Sequence, residues 1–432
     1  MLVMKNLLLF AAASLFAFTA CDDDDDIVTN PVASGTFTVT VENIQQGKAF
    51  FNSGITDAAG PGGSYSYTFN AGKGSYLSFA TMFVQSNDLF YGFGDAGLAL
   101  YDDNGDAITG DVTSEVMLWD AGTEVNQEPG VGADQAPRQA GANTGADENG
   151  TVKLIADVND GYNYPATVEI LKVELSHDGG TEFTVTVSNV SDGFAFQTPI
   201  APGVWVVHNS GMPIFTENEA SMNGLEGLAE DGANADLGMY LSDNSGYVSP
   251  FAPGVFVVNT GGLPLFEDGV PHLANGLEAL AEDGSPGDLN ASFDGLAGIS
   301  ANGVFSVPVG GNGGAPIFPG ESYEFTFEAN ELDYFNLATM LVQSNDLFVA
   351  FEDKGIYLFE NGIPVTGDVT SKLMLWDAGT EVNEYPGAGN NQPPRQAGPN
   401  TGTEETKSVM EVNDSFTYPA ITDLIRVTIS AN

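Results

Sequence analysis

"FTVTVENI" (Phe37–Ile44) returns as "FTVTVSNV" (Phe183–Val190). Phe and Val alternate with Thr, so one face of each segment is apolar and the other polar, the period of a half-buried strand. The recurrence points to an internal duplication. Other strings repeat in the same order. "ATMFVQSNDLF" (Ala80–Phe90) becomes "ATMLVQSNDLF" (Ala338–Phe348), and "WDAGTEVN" stands unchanged at Trp119–Asn126 and Trp376–Asn383. "TGDVTS" and "PRQAG" recur as well. Read linearly, these landmarks predict two domains, 34–176 and 181–432, with "SHDGGTE" (Ser176–Glu182) as a hinge too short for independent tumbling.

The copies are unequal. The first strand repeats after 146 positions and "QSNDLF" after 258, so the second domain is expected to carry 112 extra residues. This insert (201–307) is itself doubled. "APGVWVVHNSG" (Ala201–Gly211) pairs with "APGVFVVNTGG" (Ala252–Gly262), and "NGLEGLAEDG" (Asn223–Gly232) with "NGLEALAEDG" (Asn275–Gly284). Each unit reads as a buried strand and a short helix. Asn223 and Asn275 are the expected N-caps, and Gly232 and Gly284 the left-handed stops. The first domain, lacking the unit, is expected to be a shortened sandwich.

The remaining punctuation is that of a β protein. "SYEFTFEA" alternates, "LIRVTIS" (Leu424–Ser430) reads as a closing strand, and "YDDNGD" (Tyr101–Asp106) and "FENGIP" (Phe359–Pro364) carry Asn-Gly hairpin signals. With 53 Gly, 22 Pro and no long helical period, the chain is predicted to be all-β: two tandem antiparallel β-sandwiches, with short helices inserted in the second.

Charge narrows the partners. The 432 residues hold 11 Lys+Arg against 59 Asp+Glu, a net charge of −48. Such a surface repels nucleic acid and anionic lipid, and it suits divalent cations, whose preferred ligands are carboxylate oxygens. A hydrophobic content of 42% with 28 Phe argues against a disordered acidic chain.

The N-terminus reads as a processing signal. Lys5 precedes the apolar run "NLLLFAAASLFAFTA", and small residues lead to Cys21, the only cysteine. This resembles a bacterial lipoprotein signal, which implies removal of 1–20 and lipidation of Cys21. The plainer alternative is a secretory signal with a stray Cys. A single Cys excludes internal disulfides. "DDDDD" (Asp22–Asp26) in the tether 21–33 is either a solvated spacer or an address, since it resembles the surface-export signal of Bacteroidetes lipoproteins. The expected location is the outer membrane, reached only through the lipid.

"FTVTVxN", "PGVWVVH", "GLExLAEDG", "QSNDLF" and "WDAGTE", taken in order, resemble the spondin N-terminal domain of F-spondin, mindin and many bacterial secreted proteins. The resemblance covers nearly all of 183–429, and 37–175 without the "PGVWVVH…LAEDG" segment. It implies a C2-like β-sandwich with calcium (Ca2+) bound in end loops and a role in matrix attachment or cell recognition. It also implies the ligands. Asp88, Asp120 and Glu124 would hold one ion, and Asp346, Asp377 and Glu381 another; Glu stands where the family has Asp. The residues read by themselves agree. The Gly of Asp-Ala-Gly-Thr-Glu lets two carboxylates fold back toward one point, and a third from the neighbouring loop would make a cluster that repels itself without a cation. The alternative is a plain turn in which Asp caps backbone amides. Trp119 and Trp376 read as core anchors.

Other chemistry is poorly supported. His177, His208 and His272 do not recur at matching positions, which argues against a zinc or catalytic triad. Asp120 and Glu124 resemble a glycosidase pair only in residue type, and a carboxylate held ionised by calcium makes no general acid. Arg138 and Arg395, in "PRQAGxNTG", are expected either to pair with a local carboxylate or to belong to a loop that helps order the metal-binding end or contacts a ligand. The chain is therefore expected to be no enzyme but a calcium-binding, lipid-anchored envelope protein. Its expected partner is an extracellular macromolecule, a glycan or a matrix-like protein; a purely structural surface protein is the alternative.

Overall fold

The computed structural model describes residues 33–261, 265–352 and 354–432. The signal, Cys21 and Asp22–Asp26 lie outside the described residues. Within them the chain is all-β, built from antiparallel sheets packed face to face with short helices on the outside.

In one sandwich a four-stranded sheet has the order Ser64–Asn70, Glu182–Asn189, Leu171–His177, Gly110–Asp111. It faces a larger sheet ordered Asn52–Ile55, Val204–His208, Tyr76–Met82, Leu89–Gly92, Met117–Asp120, Lys153–Leu154. In the other, Ser322–Asn330, Ser34–Asn43, Ile425–Ala431 and Gly367–Asp368 form the small sheet. Its partner runs Ile299–Phe305, Gly254–Thr260, Asp333–Met340, Leu347–Phe351, Leu373–Asp377, Met410–Glu411.

These pairings correct the linear division at 34–176 and 181–432. Ser34–Asn43 is the central strand of the second sandwich's small sheet, flanked by Ser322–Asn330 and Ile425–Ala431. Glu182–Asn189 belongs to the first sandwich, between Ser64–Asn70 and Leu171–His177. Ser176–Glu182 is accordingly the tip of a hairpin and not a domain hinge. His177 is in register with Phe183, and the turn holds itself through Asp178 Oδ1, which accepts from Gly180 N at 2.7 Å and Glu182 N at 3.2 Å. Two alternating strands joined by so short a Gly-rich loop pair with each other more readily than they separate.

The first sandwich is not shortened either. Val204–His208 pairs with Tyr76–Met82, so the first unit of the insert completes the first sandwich; Gly254–Thr260, from the second unit, pairs with Asp333–Met340 in the other. The first sandwich is therefore nested within the second. The chain leaves after Asn43, builds the whole first sandwich and returns near Ser249, where Asn43 Nδ2 donates to Ser249 O at 3.0 Å. The two crossings lie together, with Phe50 bridged to Ser245. Lys73 N donates to Asn390 Oδ1 at 2.7 Å across the seam, and Phe51 meets Tyr385 edge-on.

Each sandwich has two cores. Between the sheets lie Phe69, Phe183 and Trp205 in one, and Phe37, Phe256 and Phe327 in the other. Outside the larger sheet, Trp119, Phe215, Leu225 and Leu228 pack together, matched by Trp376, Phe266, Leu277 and Leu280. Both Trp are core anchors. Their indole N–H groups donate to Gly92 O at 3.3 Å and Ala350 O at 3.2 Å, satisfying the one polar atom each ring buries.

The helices Leu225–Asp231 and Leu277–Asp283 stop at Gly232 and Gly284 in the left-handed region, as their sequences require. Their starts differ from expectation. Gly224 (φ 93°) and Gly276 (φ 99°) hold the N-cap position, and Asn223 and Asn275 stand one residue earlier, from where Asn275 Oδ1 still accepts from Leu277 N at 3.3 Å. A Cβ at Gly224 would lie 2.7 Å from the amide nitrogen of Leu237, so the close approach of the next helix demands Gly there. "FENGIP" forms the expected hairpin, with Asn361 and Gly362 both at positive φ.

Candidate metal centre

Asp88 immediately precedes strand Leu89–Gly92, and Asp120 ends strand Met117–Asp120; Leu89 and Asp120 are in register. The two loops therefore meet at one end of the sandwich. Past Asp120 the chain turns at Gly122 (φ 69°), where a Cβ would lie 2.5 Å from the Thr151 amide nitrogen. Asp120 Oδ1 holds the turn by accepting from Gly122 N at 2.7 Å, and its Oδ2 accepts from Asn126 Nδ2 at 2.6 Å.

The turn carries its amides back to Asp88. Asp88 Oδ2 accepts from Thr123 N at 2.7 Å, Glu124 N at 3.0 Å and Thr123 Oγ1 at 3.2 Å. Oδ1 of the same carboxyl is buried and has no hydrogen-bond partner. The second sandwich repeats this. Asp346 Oδ2 accepts from Thr380 N at 2.8 Å, Glu381 N at 3.1 Å and Thr380 Oγ1 at 3.2 Å, and Asp346 Oδ1 is buried and unpartnered. Asp377 repeats Asp120, accepting from Gly379 N at 2.7 Å and Asn383 Nδ2 at 2.8 Å.

Burial, and then the charge of Asp120, push Asp88 up to about 8 against the lowering effect of its three donors. Asp120 rises to about 6, mainly by burial. Asp346 rises to about 7 through burial and the charge of Asp377, which is itself raised by burial. Each pair thus places two carboxylates where both cannot be ionised cheaply, and either a proton or a cation would relieve the repulsion.

Glu124 and Glu381 are turned to other partners. Glu124 Oε1 accepts from Gly145 N at 2.7 Å and Oε2 from Asn87 Nδ2 at 3.2 Å. Glu381 does the same with Gly402 N at 2.8 Å and Asn345 Nδ2 at 3.3 Å. These glutamates pin the end of the "PRQAGxNTG" loop. The structure thus brings Asp88 to Asp120 and Asp346 to Asp377, and engages the glutamate carboxylates elsewhere. Among the described residues, no group of three or more His, Cys, Asp or Glu is placed to hold a metal ion. A hard cation fits the Asp pairs on one count: each has a buried carboxylate oxygen with nothing to accept from.

The arginines do not pair with carboxylates. Arg138 donates to Gly132 O at 2.8 Å and Gln135 Oε1 at 3.0 Å. Arg395 donates to Gly389 O, Gln392 Oε1 and Gln343 Oε1. Arg138 knits its own loop through carbonyl acceptors, and Arg395 does the same while also reaching Gln343 in the loop before Asp346. Burial brings Arg395 down to about 10.

Two residues escaped the sequence reading. Glu230 and Glu282, near the ends of the "GLExLAEDG" helices, are only 3% and 2% exposed, and each leaves a buried Oε2 unpartnered. Burial pushes each up to about 7, with Glu124 and Glu381 the foremost neighbouring charges. The available signal was a Glu at the same helical position in both repeats, four residues after another Glu.

No helix among the described residues is long and apolar enough to cross a membrane. No protein-family model matches this chain, and no curated protein matches it by sequence.

Proposed function

We propose that the chain is a non-enzymatic, calcium-binding surface protein. In this reading it is held to the outer membrane by a lipid on Cys21, and two spondin-like sandwiches present end loops to an extracellular glycan or matrix-like protein. One observation carries the calcium reading: an unpartnered, buried carboxylate oxygen beside a second carboxylate, at the same place in both sandwiches. Asp88 with Asp120, and Asp346 with Asp377, would hold the ions. Calcium takes six to eight oxygen ligands in flexible geometry, so carbonyls and water complete such a site. Glu124 or Glu381 would join only by releasing Gly145 or Gly402. A bound cation supplies charge neutralisation at the loop end. The chain's own contribution is to fix that end through the Thr123–Glu124 and Thr380–Glu381 amides.

A hydrolase reading has less support. Its acid would have to touch substrate, and Asp120 and Glu124, the pair of the right residue type, are both buried. Calorimetric titration of the mature chain with calcium tests the proposal. Two binding events are expected, one lost in Asp88→Asn and the other in Asp346→Asn; no heat from wild type would end the calcium reading. Screening the calcium-loaded chain on glycan and matrix-protein arrays tests recognition, and release of reducing ends from polysaccharides would overturn the non-enzymatic assignment.

A further inference from the structure

A cavity of about 300 Å³ lies against helix Leu225–Asp231, and Glu226, Glu230, Asp231 and Asp236 are among its lining residues. Its counterpart of about 240 Å³ lies against Leu277–Asp283, with Glu278, Glu282, Asp283 and Asp288. No Lys or Arg lines either cavity. Glu230 and Glu282 are lining residues too; each carboxylate has a Thr hydroxyl beside it, Thr123 or Thr380, and a buried Oε2 with no partner. The rim is braced by the "PRQAGxNTG" loop. Gln139 Nε2 donates to Asp231 Oδ1 at 2.6 Å and Asn143 Nδ2 to Glu226 Oε1 at 3.2 Å; Gln396 and Asn400 do the same for Asp283 and Glu278.

We infer that these cavities are receptor sites for arginine side chains of a partner protein, with Glu230 and Glu282 as the buried anions that receive the guanidinium. An unpaired buried carboxylate is costly and is relieved by a charge-assisted hydrogen bond. The carboxylates surround a cavity of side-chain size and are not gathered around one point, and no group of three among the described residues is placed for a metal ion. That spacing suits an extended cation. A guanidinium is planar, weakly hydrated and carries five N–H donors, so it can serve Glu230 and a rim carboxylate at once, whereas a Lys ammonium is compact and strongly hydrated. A net charge of −48 draws basic partners in. The two cavities differ in one respect. His272 lines the second, with Nε2 3.7 Å from Glu278 Oε2, where it competes for that rim carboxylate, so the first is expected to be the tighter site. Glu230 and Glu282 are distinct from the Asp pairs, so arginine binding does not require calcium.

The test titrates the full chain, with chelator present, with N-acetyl-arginine amide and its neutral isostere N-acetyl-citrulline amide. Arginine amide is expected to bind at least tenfold more tightly than citrulline amide. Glu230→Gln should remove the tighter site, and Glu230→Gln with Glu282→Gln both. Asp88→Asn should leave arginine binding unchanged, and Glu230→Gln should keep its calcium-dependent rise in melting temperature, which separates this inference from the calcium reading. If Glu230→Gln misfolds, the rim variant Glu226→Gln/Asp236→Asn carries the test with an expected two- to fivefold weakening. Equal binding of the two amides, arginine binding that survives the double substitution, or calcium displacing arginine from an Asp88→Asn/Asp346→Asn chain would overturn the assignment.

Discussion

Phe37 lies directly opposite Phe327 across two paired strands, their rings stacked with centroids 5.9 Å apart, although 290 positions (327 − 37) separate them in the chain. Phe183, in the repeat of the same string, is opposite Phe69 at the same centroid distance. The first described strand thus belongs to the sandwich that the last strands complete. Phe37, Val39 and Val41 are fully buried there, each contributing on the order of 1.5–3 kcal/mol.

This nesting predicts which fragments fold. Residues 49–246 contain every strand of the first sandwich, and their ends are tied by Ala49 N to Asn244 O at 3.0 Å and Gly246 N to Phe50 O at 3.1 Å. That fragment should melt cooperatively with a strand-rich spectrum. Residues 182–432 lack the central strand Ser34–Asn43 and should not fold. A cooperative melt from 182–432, and none from 49–246, would restore the linear division.

Asp88→Asn should stabilise the chelated protein and abolish the first sandwich's response to calcium. The amide oxygen can take over the three donors from Thr123 and Glu124, and the neutral amide removes the charge that Asp120 opposes. The gain should be about 1 kcal/mol. Denaturant unfolding with and without calcium measures it, and a less stable chelated variant would show that the repulsion between Asp88 and Asp120 is not a cost.

Stability without calcium should fall as pH rises. The folded-state values of Asp88 and Asp346 stand near 8 and 7, above an ordinary value of about 3.9 in the unfolded chain. Between those limits the folded protein binds more protons than the unfolded one, so unfolding free energy decreases with pH. The contribution is complete below about pH 4 and is lost as pH rises through 7 to 8. Calcium, by holding the carboxylates ionised, should flatten the slope. Melting temperatures across pH 4–9 with chelator or calcium show the two curves; parallel curves would mean that these carboxyls do not meet the ion.

The two metal centres should differ in affinity. Lys407, largely exposed and paired with Glu405 at 2.7 Å, places a positive charge near Asp377; the corresponding backbone position in the first sandwich is Gly150. The first site should bind calcium more tightly. Lys407→Gly should strengthen the second by about two- to fivefold, the size of an exposed charge interaction. Calorimetry on Asp88→Asn, which isolates the second site, reads the change directly.

Much of this architecture is written locally. The alternation of "FTVTV", the Asn-Gly of "FENGIP", the glycines closing the two helices and the burial of Trp119 and Trp376 follow from period, turn chemistry and side-chain volume within a few residues. The meeting of "QSNDLF" with "WDAGTE" was expected from the resemblance and not from the residues alone, which showed only that both strings recur and carry acidic side chains at loop positions. Glu230 and Glu282 were harder to see, since a Glu on a short helix ordinarily faces water. Only the packing of that helix against the Thr123 and Thr380 turns buries them.

The sequence by itself determined the strands, the duplication and the acidic loop ends. It did not determine which copy of a strand enters which sandwich, because "FTVTVEN" and "FTVTVSN" present the same faces and fit either sheet equally well. Tertiary structure decided that. The short turn after His177 closes Glu182–Asn189 onto Leu171–His177 at small entropic cost, which fills the first sandwich and leaves Ser34–Asn43 to cross to the second. The direction of the Glu124 and Glu381 carboxylates was decided in the same way. A turn sets where its amides point, but only the loops packed around it, ending at Gly145 and Gly402, set which partners its side chains reach.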